Sequence, residues 1–450
     1  MTVVGVSRSR LLLGGGCLGL FAASSATVFP FVTFSYLGPF DTFHSQSVLI
    51  WIMFSLLLAV ALSAIVAMTR DGGSRRILLI APTLLLFLGI CRVWGVLNFE
   101  NLPQYGDTGQ FESKGLVDGN ARWLLGIALI REVFFAVSLV VPNVGAETFV
   151  RVLGSAVMAA WGTWFLAKRS DSVIPWLIIT SPMWILFSVG YDEYYPFVAG
   201  IVTVAIWQIV SDAMPIHRQT AYVVVGLLPI LYIGALPIAV CLLIRQWGQE
   251  VSWGLRVRGI LIALAAMVLS IEIGGDFGSY AMQLNSNLTR GGAMVTDLSV
   301  EAPEGSIFGP ISYTLSSTHA VNIWFWLAVG MGGAALAIPS VYLAFLRLRA
   351  IGALRGSLVQ RFQTNDPAKI LLTIFATGYI VFMLPVLGPT QDIDLYFWSL
   401  FSFLLLAGVQ LDRVVRNSNN IAATRVAVMQ LISFGFAPAT SALVVFGVSR

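Results

Sequence analysis

The stretch PQYGDTGQFESKG at 103–115 interrupts long apolar runs with residues that can do chemistry: Tyr105, Asp107, Glu112 and Lys114. A carboxylate on a glycine-flanked turn, as at Asp107, can accept a proton from a substrate hydroxyl or hold a divalent cation. The alternative is a solvated loop in which Asp107 caps a helix that starts near Thr108. Taken alone, the stretch slightly favours this second interpretation.

A second acidic stretch, SVGYDEYYPF at 188–197, places Asp192 and Glu193 among tyrosines at the end of an apolar run. Tyrosines are enriched at membrane interfaces, so an aromatic belt with two solvated acids is one explanation. A short loop does not need adjacent carboxylates, however, and charges set against the membrane edge are costly. The pattern therefore favours a functional role for both acids.

A few basic residues lie outside the positively charged clusters and are candidates for anion binding. Arg92 lies inside an apolar stretch, where ionisable groups usually face a cavity or one another. Arg290 is the only Arg or Lys in the long polar segment 276–321, which makes it a candidate phosphate contact. His319 in the same segment is better explained as a structural or solvated residue.

The composition places most of this chain in lipid. Of its 450 residues 57% are hydrophobic and only 11% are charged, and the mean hydropathy is +0.85. Soluble domains carry about 25% charged residues. The three cysteines all lie in apolar runs, so they form neither a disulfide framework nor a metal-binding pattern. The sequence therefore predicts an all-α polytopic membrane protein.

The basic clusters predict how the helices cross the membrane. Placing every cluster on the cytoplasmic side gives about 13 transmembrane crossings with a cytoplasmic N-terminus. This requires 123–141 to be an amphipathic or re-entrant helix region on the outer face. It also requires 220–244 to be a hairpin of two short helices, bent at Pro229 and Pro237, whereas 173–190 is predicted as one span. Both acidic stretches then belong to outer loops.

Four stretches, in this order, resemble the GT-C superfamily of membrane glycosyltransferases, which use polyprenyl-phosphate-linked sugars. YGDTGQFES resembles the family's first-loop acidic motif, and GLLPILYIGALPIAVCLLI looks like its short helical hairpin. Between them, ETFVRVLGSAVMAAWGTWFLAKRS and VIPWLIITSPMWILFSVGYDEYYPF resemble two family helices. The resemblance divides the chain into four parts: two extra N-terminal helices (1–76), a GT-C-like core (77–275), an outer loop (276–321) and C-terminal helices (322–450).

The resemblance implies transfer of a sugar from a polyprenyl-phosphate donor to a glycan, lipid or protein acceptor at the outer face of the membrane. It implies that Asp107 is the catalytic base, or the ligand of a divalent cation (Mg or Mn) that serves the base. Asp192 and Glu193 would orient the acceptor or complete the metal site. One direct displacement would invert the anomeric carbon.

The same resemblance implies which residues bind substrate. Arg290, followed by Arg92 and Lys114, would face the donor phosphate, and Glu112 and Tyr105 would support the site. Membrane lipids are the expected surroundings, and no nucleic-acid partner is expected. Short, cysteine-free outer loops favour a bacterial plasma membrane over an endoplasmic-reticulum membrane.

Two other functions stay open at the level of sequence. A polysaccharide polymerase or O-antigen-ligase type enzyme would depend on Arg290 and His319 more than on Asp107. A multi-span transporter or flippase would need charges near the bilayer midplane, for which Glu272 is the best-placed acid. A membrane scaffold subunit is the third alternative, and a deep, acid-lined outer cavity would argue against it.

Overall fold

The computed structural model describes residues 8–34, 44–69, 79–93, 124–142, 146–169, 171–190, 194–211, 216–250, 252–274, 278, 332, 366–382 and 396–442. Most of these residues are helical, and no strand occurs among them. The predicted all-α fold is therefore confirmed for the described part of the chain.

The first helices in chain order are α1 (Arg8–Phe34), α2 (His44–Met68), α3 (Ile80–Val93), α4 (Leu124–Ser138), α5 (Ala146–Lys168), α6 (Ile174–Thr180) and α7 (Pro182–Ser188). They are followed by α8 (Tyr195–Val210), α9 (Arg218–Leu231), α10 (Leu236–Gln249), α11 (Trp253–Gly274), α12 (Pro367–Phe382), α13 (Phe397–Arg416) and α14 (Ile421–Ser441). A short 3-10 turn (Ile233–Ala235) joins α9 to α10. Five helices, α6, α7, α8, α10 and α12, carry a proline at one of their first two positions, where no backbone N–H is needed.

Six segments in the described part are long and apolar enough to cross a membrane: Leu12–Phe29, Trp51–Met68, Phe149–Lys168, Trp253–Gly274, Phe397–Arg416 and Ile421–Ser441. They support the prediction of an integral membrane protein. The total of 13 crossings extends over residues outside the described part and stays a prediction. The four-part division of the chain also stays a prediction, because its boundaries fall outside the described residues.

The centre of the bundle is the segment that hydropathy predicts as a single span, 173–190, and it consists of two helices instead. α6 and α7 have seven residues each and meet at Ser181, whose backbone is extended (φ −65°, ψ 145°). Every residue of both helices is buried. The physical reason for the break is Pro182, which has no N–H to donate and disfavours a helical conformation at the residue before it.

Side chains at the break satisfy the backbone groups that it leaves without helical partners. Ser181 Oγ donates to the carbonyl of Ile178 at 2.7 Å and accepts from the N–H of Trp184 at 3.4 Å. The indole of Trp176 donates to the carbonyl of Met429 at 3.2 Å, which ties α6 to α14. Because unpaired backbone groups are costly in an apolar interior, the two bonds of Ser181 lower the cost of interrupting the helix at the centre.

The other helices pack around α6, α7, α8 and α13. α1 and α2 lie against α14, α3 lies against α5, and α11 lies against α9. The outer helices keep large apolar side chains exposed, such as Leu57 on α2 at 66% and Leu261 on α11 at 60%. Exposed apolar surface of this kind is what a helix needs when it faces lipid tails.

The hairpin predicted for 220–244 is present. α9 and α10 have 14 residues each and pack against one another across the 3-10 turn. Their far ends also meet, because Arg218 Nη1 at the start of α9 lies 3.5 Å from Glu250 Oε2, the residue after α10. Pro237 lies at the start of α10, whereas Pro229 lies inside α9, in its last turn.

Charged side chains gather at the end of the bundle where α5 ends, α6 begins and α13 ends. Asp412 accepts from the N–H of Val173 at 3.2 Å and from Arg416 Nε at 2.8 Å. Asp171 accepts from Arg169 at 3.1 Å and lies 3.6 Å from Arg416. Burial raises the pKa of the Asp171 carboxyl, but the hydrogen bond from Arg169 and the charges of both arginines outweigh it, so the pKa lies below its ordinary value.

A second ionic group lies where α8 and α10 end and α12 begins. Arg245 pairs with Asp366 and donates to the carbonyl of Ser211 at 3.3 Å. Lys369 lies 4.0 Å from the same aspartate, which also accepts from the N–H of Ala368 at the start of α12. We call the part of the bundle that carries these charged groups the basic end; it comprises Arg169, Arg218, Arg245, Lys369 and Arg416 with their acidic partners.

The close contact between α9 and α11 gives the first testable prediction. A methyl group at Gly226 would overlap the backbone carbonyl of Ala263, which cannot move aside as a side chain can. We expect Gly226→Ala to destabilise the protein by about 1–3 kcal/mol, as overpacking usually does. The measurement is thermal unfolding of the detergent-purified chain, followed by tryptophan fluorescence.

Gly248→Ala is the matched control for this prediction. Gly248 is also a helical glycine, but a methyl group there would meet nothing within 4 Å. Because alanine favours helix, this variant should be as stable as the parent or more so. Equal melting temperatures for both variants would contradict the packing of α9 on α11.

Candidate functional site

Four buried aromatic rings from four segments pack together at the end of the bundle opposite the basic end. They are Phe187 of α7, Tyr195 of α8, Tyr232 after α9 and Phe397 of α13. The ring centroids lie 5.5 Å apart for Tyr195 and Phe397, 5.8 Å for Phe187 and Phe397, and 5.9 Å for Tyr195 and Tyr232. α8 and α13 both begin at this cluster and end at the charged groups, which fixes the two ends as opposite. We call this part of the bundle the aromatic end.

The last turns of α3 reach the aromatic end. A methyl group at Gly89 would lie 2.7 Å from the backbone oxygen of Ser188 and 2.6 Å from Ser155 Oγ. Ser188 is the last residue of α7, one position after Phe187 of the aromatic cluster. The chain therefore leaves α3 beside the point where α7 ends. The segment that follows α3 is the one that carries the first acidic stretch.

The start of α4 reaches the same place. A methyl group at Gly126 would overlap the hydroxyl and the ring of Tyr194. Tyr194 is fully buried and immediately precedes α8. The segment 94–123 is thus joined to described helices beside Ser188 on one side and beside Tyr194 on the other.

The second acidic stretch is joined to the bundle at these same residues. Gly190 and Tyr194, which flank residues 191–193, are both buried. Gly190 has a φ of 87°, a backbone conformation that glycine adopts without the steric cost of a side chain. Substituting any other residue at Gly190 would strain the chain where it enters this segment.

α4 lies across the aromatic end and does not run through the bundle. Near its start, Leu125 packs with Ile230 and Ile271, which belong to the last turns of α9 and α11. Further along, Phe134 packs edge-on against Phe149 at the beginning of α5, with ring centroids 5.2 Å apart. A helix of 15 residues is about 22 Å long, shorter than the roughly 30 Å apolar core of a bilayer. This arrangement agrees with a helix at one face, as the sequence predicts for 123–141.

Most of the predicted site residues lie outside the described part of the chain: Tyr105, Asp107, Glu112, Lys114, Asp192, Glu193 and Arg290. Arg92 belongs to α3, but its side chain also lies outside the described residues. The structure therefore describes the helices to which these residues are attached. Their side-chain geometry stays a prediction.

The described charges near the aromatic end are exposed or half-buried. Arg131 and Glu132 on α4 lie 3.6 Å apart, with side chains 36% and 70% exposed, and an exposed pair of this kind contributes little to stability. Glu272 is exposed in the last turns of α11. Arg151 is half-buried near the start of α5, one turn before Ser155. The sequence explains Arg151 only as a helix partner of Glu147, whose side chain lies outside the described residues.

The start of α13 carries two buried polar groups at the aromatic end that are not evident from the sequence. Trp398 Nε1 and Ser399 Oγ, at the start of α13, are buried and make no hydrogen bond to any described residue. Buried polar atoms usually have a partner, so these two are candidate contacts for a polar ligand. They were missed because they lie in a continuous apolar run, FWSLFSF, which by itself indicates only a core helix.

The described residues include no group of three His, Cys, Asp or Glu side chains that could hold a metal ion. The predicted cation ligand Asp107 lies outside them. No protein-family model matches the chain, and neither a curated protein nor a solved structure is significantly similar to it.

Cross-linking tests whether the two acidic stretches meet. In a background with the three cysteines replaced by serine, we expect Asp107→Cys and Glu193→Cys to be joined by a short bismaleimide, because both segments are attached beside Ser188 and Tyr194. The product is detected by mass spectrometry of the digested protein. Asp107→Cys combined with Asn417→Cys, at the basic end, is the control and should not react. Equal yields in both pairs would contradict a shared site.

Proposed function

We propose that this chain is a membrane glycosyltransferase that moves a sugar from a polyprenyl-phosphate donor to an acceptor at the aromatic end of the bundle. One observation carries the proposal: the helices that flank the two acidic stretches contact one another there, through Gly89 on Ser188 and Gly126 on Tyr194. Attachment at one place is what a site built from both stretches requires. The resemblance of the same stretches to the GT-C superfamily supplies the reaction.

The proposed chemistry needs a base and a group that stabilises the leaving phosphate. Asp107 removes the proton from the acceptor hydroxyl, whose oxygen bonds to the anomeric carbon while the bond to the phosphate oxygen breaks. Asp192 and Glu193 orient the acceptor. Lipid phosphate leaves with the bonding electron pair, so positive charge near it lowers the barrier. Direct displacement inverts the anomeric configuration.

Arg290, Arg92 and Lys114 are the proposed phosphate contacts, with Tyr105 and Glu112 supporting the site. Arg151 is added to them because it is a half-buried cation at the start of α5, close to the aromatic end. Carboxylate oxygens are the ligands that Mg or Mn prefers. Asp107 with Asp192 or Glu193 would therefore hold such an ion, which when bound would supply further positive charge.

In the proposed topology the aromatic end faces outward and the basic end faces the cytoplasm, in a bacterial plasma membrane. The clustering of Arg169, Arg218, Arg245, Lys369 and Arg416 at one end supports this orientation through the positive-inside rule. The predicted 13 crossings, with α4 as an outer-face helix, belong to the same proposal. A lipid-linked sugar at the outer leaflet would then meet the acidic stretches directly.

A transporter receives less support from the described residues. Glu272, the acid best placed for that function by sequence, is exposed near the end of α11 and does not face the interior of the bundle. A polymerase or ligase is still the alternative enzyme class. The described residues do not test it, because it depends on Arg290 and His319, which lie outside them.

The decisive variant is Asp107→Asn, which keeps the shape of the side chain but removes the base. We expect sugar transfer from a polyprenyl-phosphate donor to fall by about 100-fold or more, the usual effect of losing a general base. The measurement is transfer of radiolabelled sugar by purified protein in lipid vesicles. Glu132→Gln is the matched control, because Glu132 is an exposed acid on α4, and it should keep full activity.

The same assay separates the two enzyme classes. If Arg290→Gln and His319→Ala abolish transfer while Asp107→Asn does not, the proposed base is wrong and the polymerase or ligase alternative is favoured. Loss of activity in Asp107→Asn counts only if its melting temperature matches that of the parent.

A further inference from the structure

The turn between α10 and α11, taken together with the helix ends on either side of it, carries two tryptophans and two arginines at the basic end. Trp247 and Trp253 pack edge-on with ring centroids 5.5 Å apart. The guanidinium of Arg256 lies 5.3 Å from the centroid of the Trp247 ring. It also donates to the carbonyl of Glu250 at 2.9 and 3.2 Å. These contacts fix the geometry of the turn.

An exposed apolar stripe begins at this turn. Trp253, Val257, Leu261, Leu264 and Val268 recur at helical spacing along α11, and they are 66%, 39%, 60%, 47% and 52% exposed, respectively. Each of these five side chains keeps more than a third of its surface exposed. In a membrane-spanning helix such a stripe faces lipid tails, and its terminal tryptophan lies at the level of the headgroups.

The charges on both sides of the stripe are positive. At about 100° per residue, Arg256 lies on one side of it and Arg258 on the other. Arg258 is exposed and makes no hydrogen bond or ion pair with any described residue. The nearby acid, Glu250, is buried with its side chain only 7% exposed, and its carboxylate lies 3.5 Å from Arg218. The turn therefore presents positive charge outward.

We propose that this turn binds an anionic phospholipid, with the phosphate headgroup between Arg256 and Arg258, near Trp253, and the acyl chains along the stripe from Val257 to Val268. The positive charges of the two arginines are complementary to the negative charge of the lipid phosphate, and arginine binds phosphate through several N–H donors. The apolar stripe continues directly from the arginines, which a lipid needs and a free phosphate does not. The site lies at the basic end, away from the proposed site of sugar transfer.

A lipid titration tests this site independently of any enzyme activity. Detergent-purified full-length protein is mixed with phosphatidylglycerol or with phosphatidylcholine of the same acyl chains, and binding is followed by native mass spectrometry. We expect tighter binding of phosphatidylglycerol. Removing both charges in Arg256→Gln/Arg258→Gln should weaken that binding by about fivefold for each arginine.

Arg256 also stabilises the turn, so the double variant can be unstable. Two single variants test the proposal in that case. Arg258→Gln removes an exposed charge without a described partner and should weaken binding by about fivefold. Trp253→Ala keeps every charge but shortens the apolar stripe, so it should also weaken binding. Arg425→Gln, at the start of α14, removes a charge at the same end of the bundle and should change nothing.

Three outcomes overturn the proposal: equal affinity for the two lipids, undiminished binding in both single variants, or equal weakening in Arg425→Gln. Displacement of the lipid by an equal concentration of inorganic phosphate also overturns it, because a bare phosphate site would not need the stripe. Failure of the sugar-transfer assay leaves the lipid result unaffected.

Discussion

The fold depends on one constraint: a helix at the centre of a lipid-embedded bundle must satisfy its own backbone. The central segment breaks at Ser181 while every residue of α6 and α7 remains buried. Water cannot reach the backbone N–H and C=O groups that lose their helical hydrogen bonds at this break, so side chains must bind them. The hydroxyl of Ser181 does this within the bundle, through its bonds to the carbonyl of Ile178 and the N–H of Trp184. The surrounding helices can therefore pack closely on a segment that would otherwise expose costly polar groups.

Much of the architecture follows from hydropathy and charge. Apolar runs predict where α1, α2, α5, α11, α13 and α14 lie, because a membrane-spanning helix must be both long and apolar. Alternation of the basic clusters predicts the α9–α10 hairpin and the outer-face helix α4, since both are needed to bring the clusters to one side. The break in 173–190 is different. Its Ser-Pro pair is visible in the sequence, but hydropathy averages over it and predicts one span.

The candidate site is less accessible to sequence reasoning. The acidic stretches can be recognised because carboxylates are rare in this chain, and they nominate Asp107 and Glu193 without any structure. Their attachment at one place depends on contacts such as Gly126 on Tyr194, which join residues far apart in sequence. No periodicity encodes a contact of this kind. The buried groups at Trp398 and Ser399 are hidden for the same reason, since their surroundings come from other helices.

The lengths of three helices, α8, α9 and α10, have a consequence for the membrane itself. α8 has 16 residues and α9 and α10 have 14 each, so they are about 21–24 Å long, whereas the hydrocarbon core is about 30 Å thick. The peripheral helices are longer, with 27 residues in α1 and 22 in α11. At these three helices the bundle must therefore be recessed from at least one membrane surface. Across this thinner region the transmembrane voltage falls over a shorter distance, so an ion or headgroup in the recess experiences a stronger electric field than one at the rim.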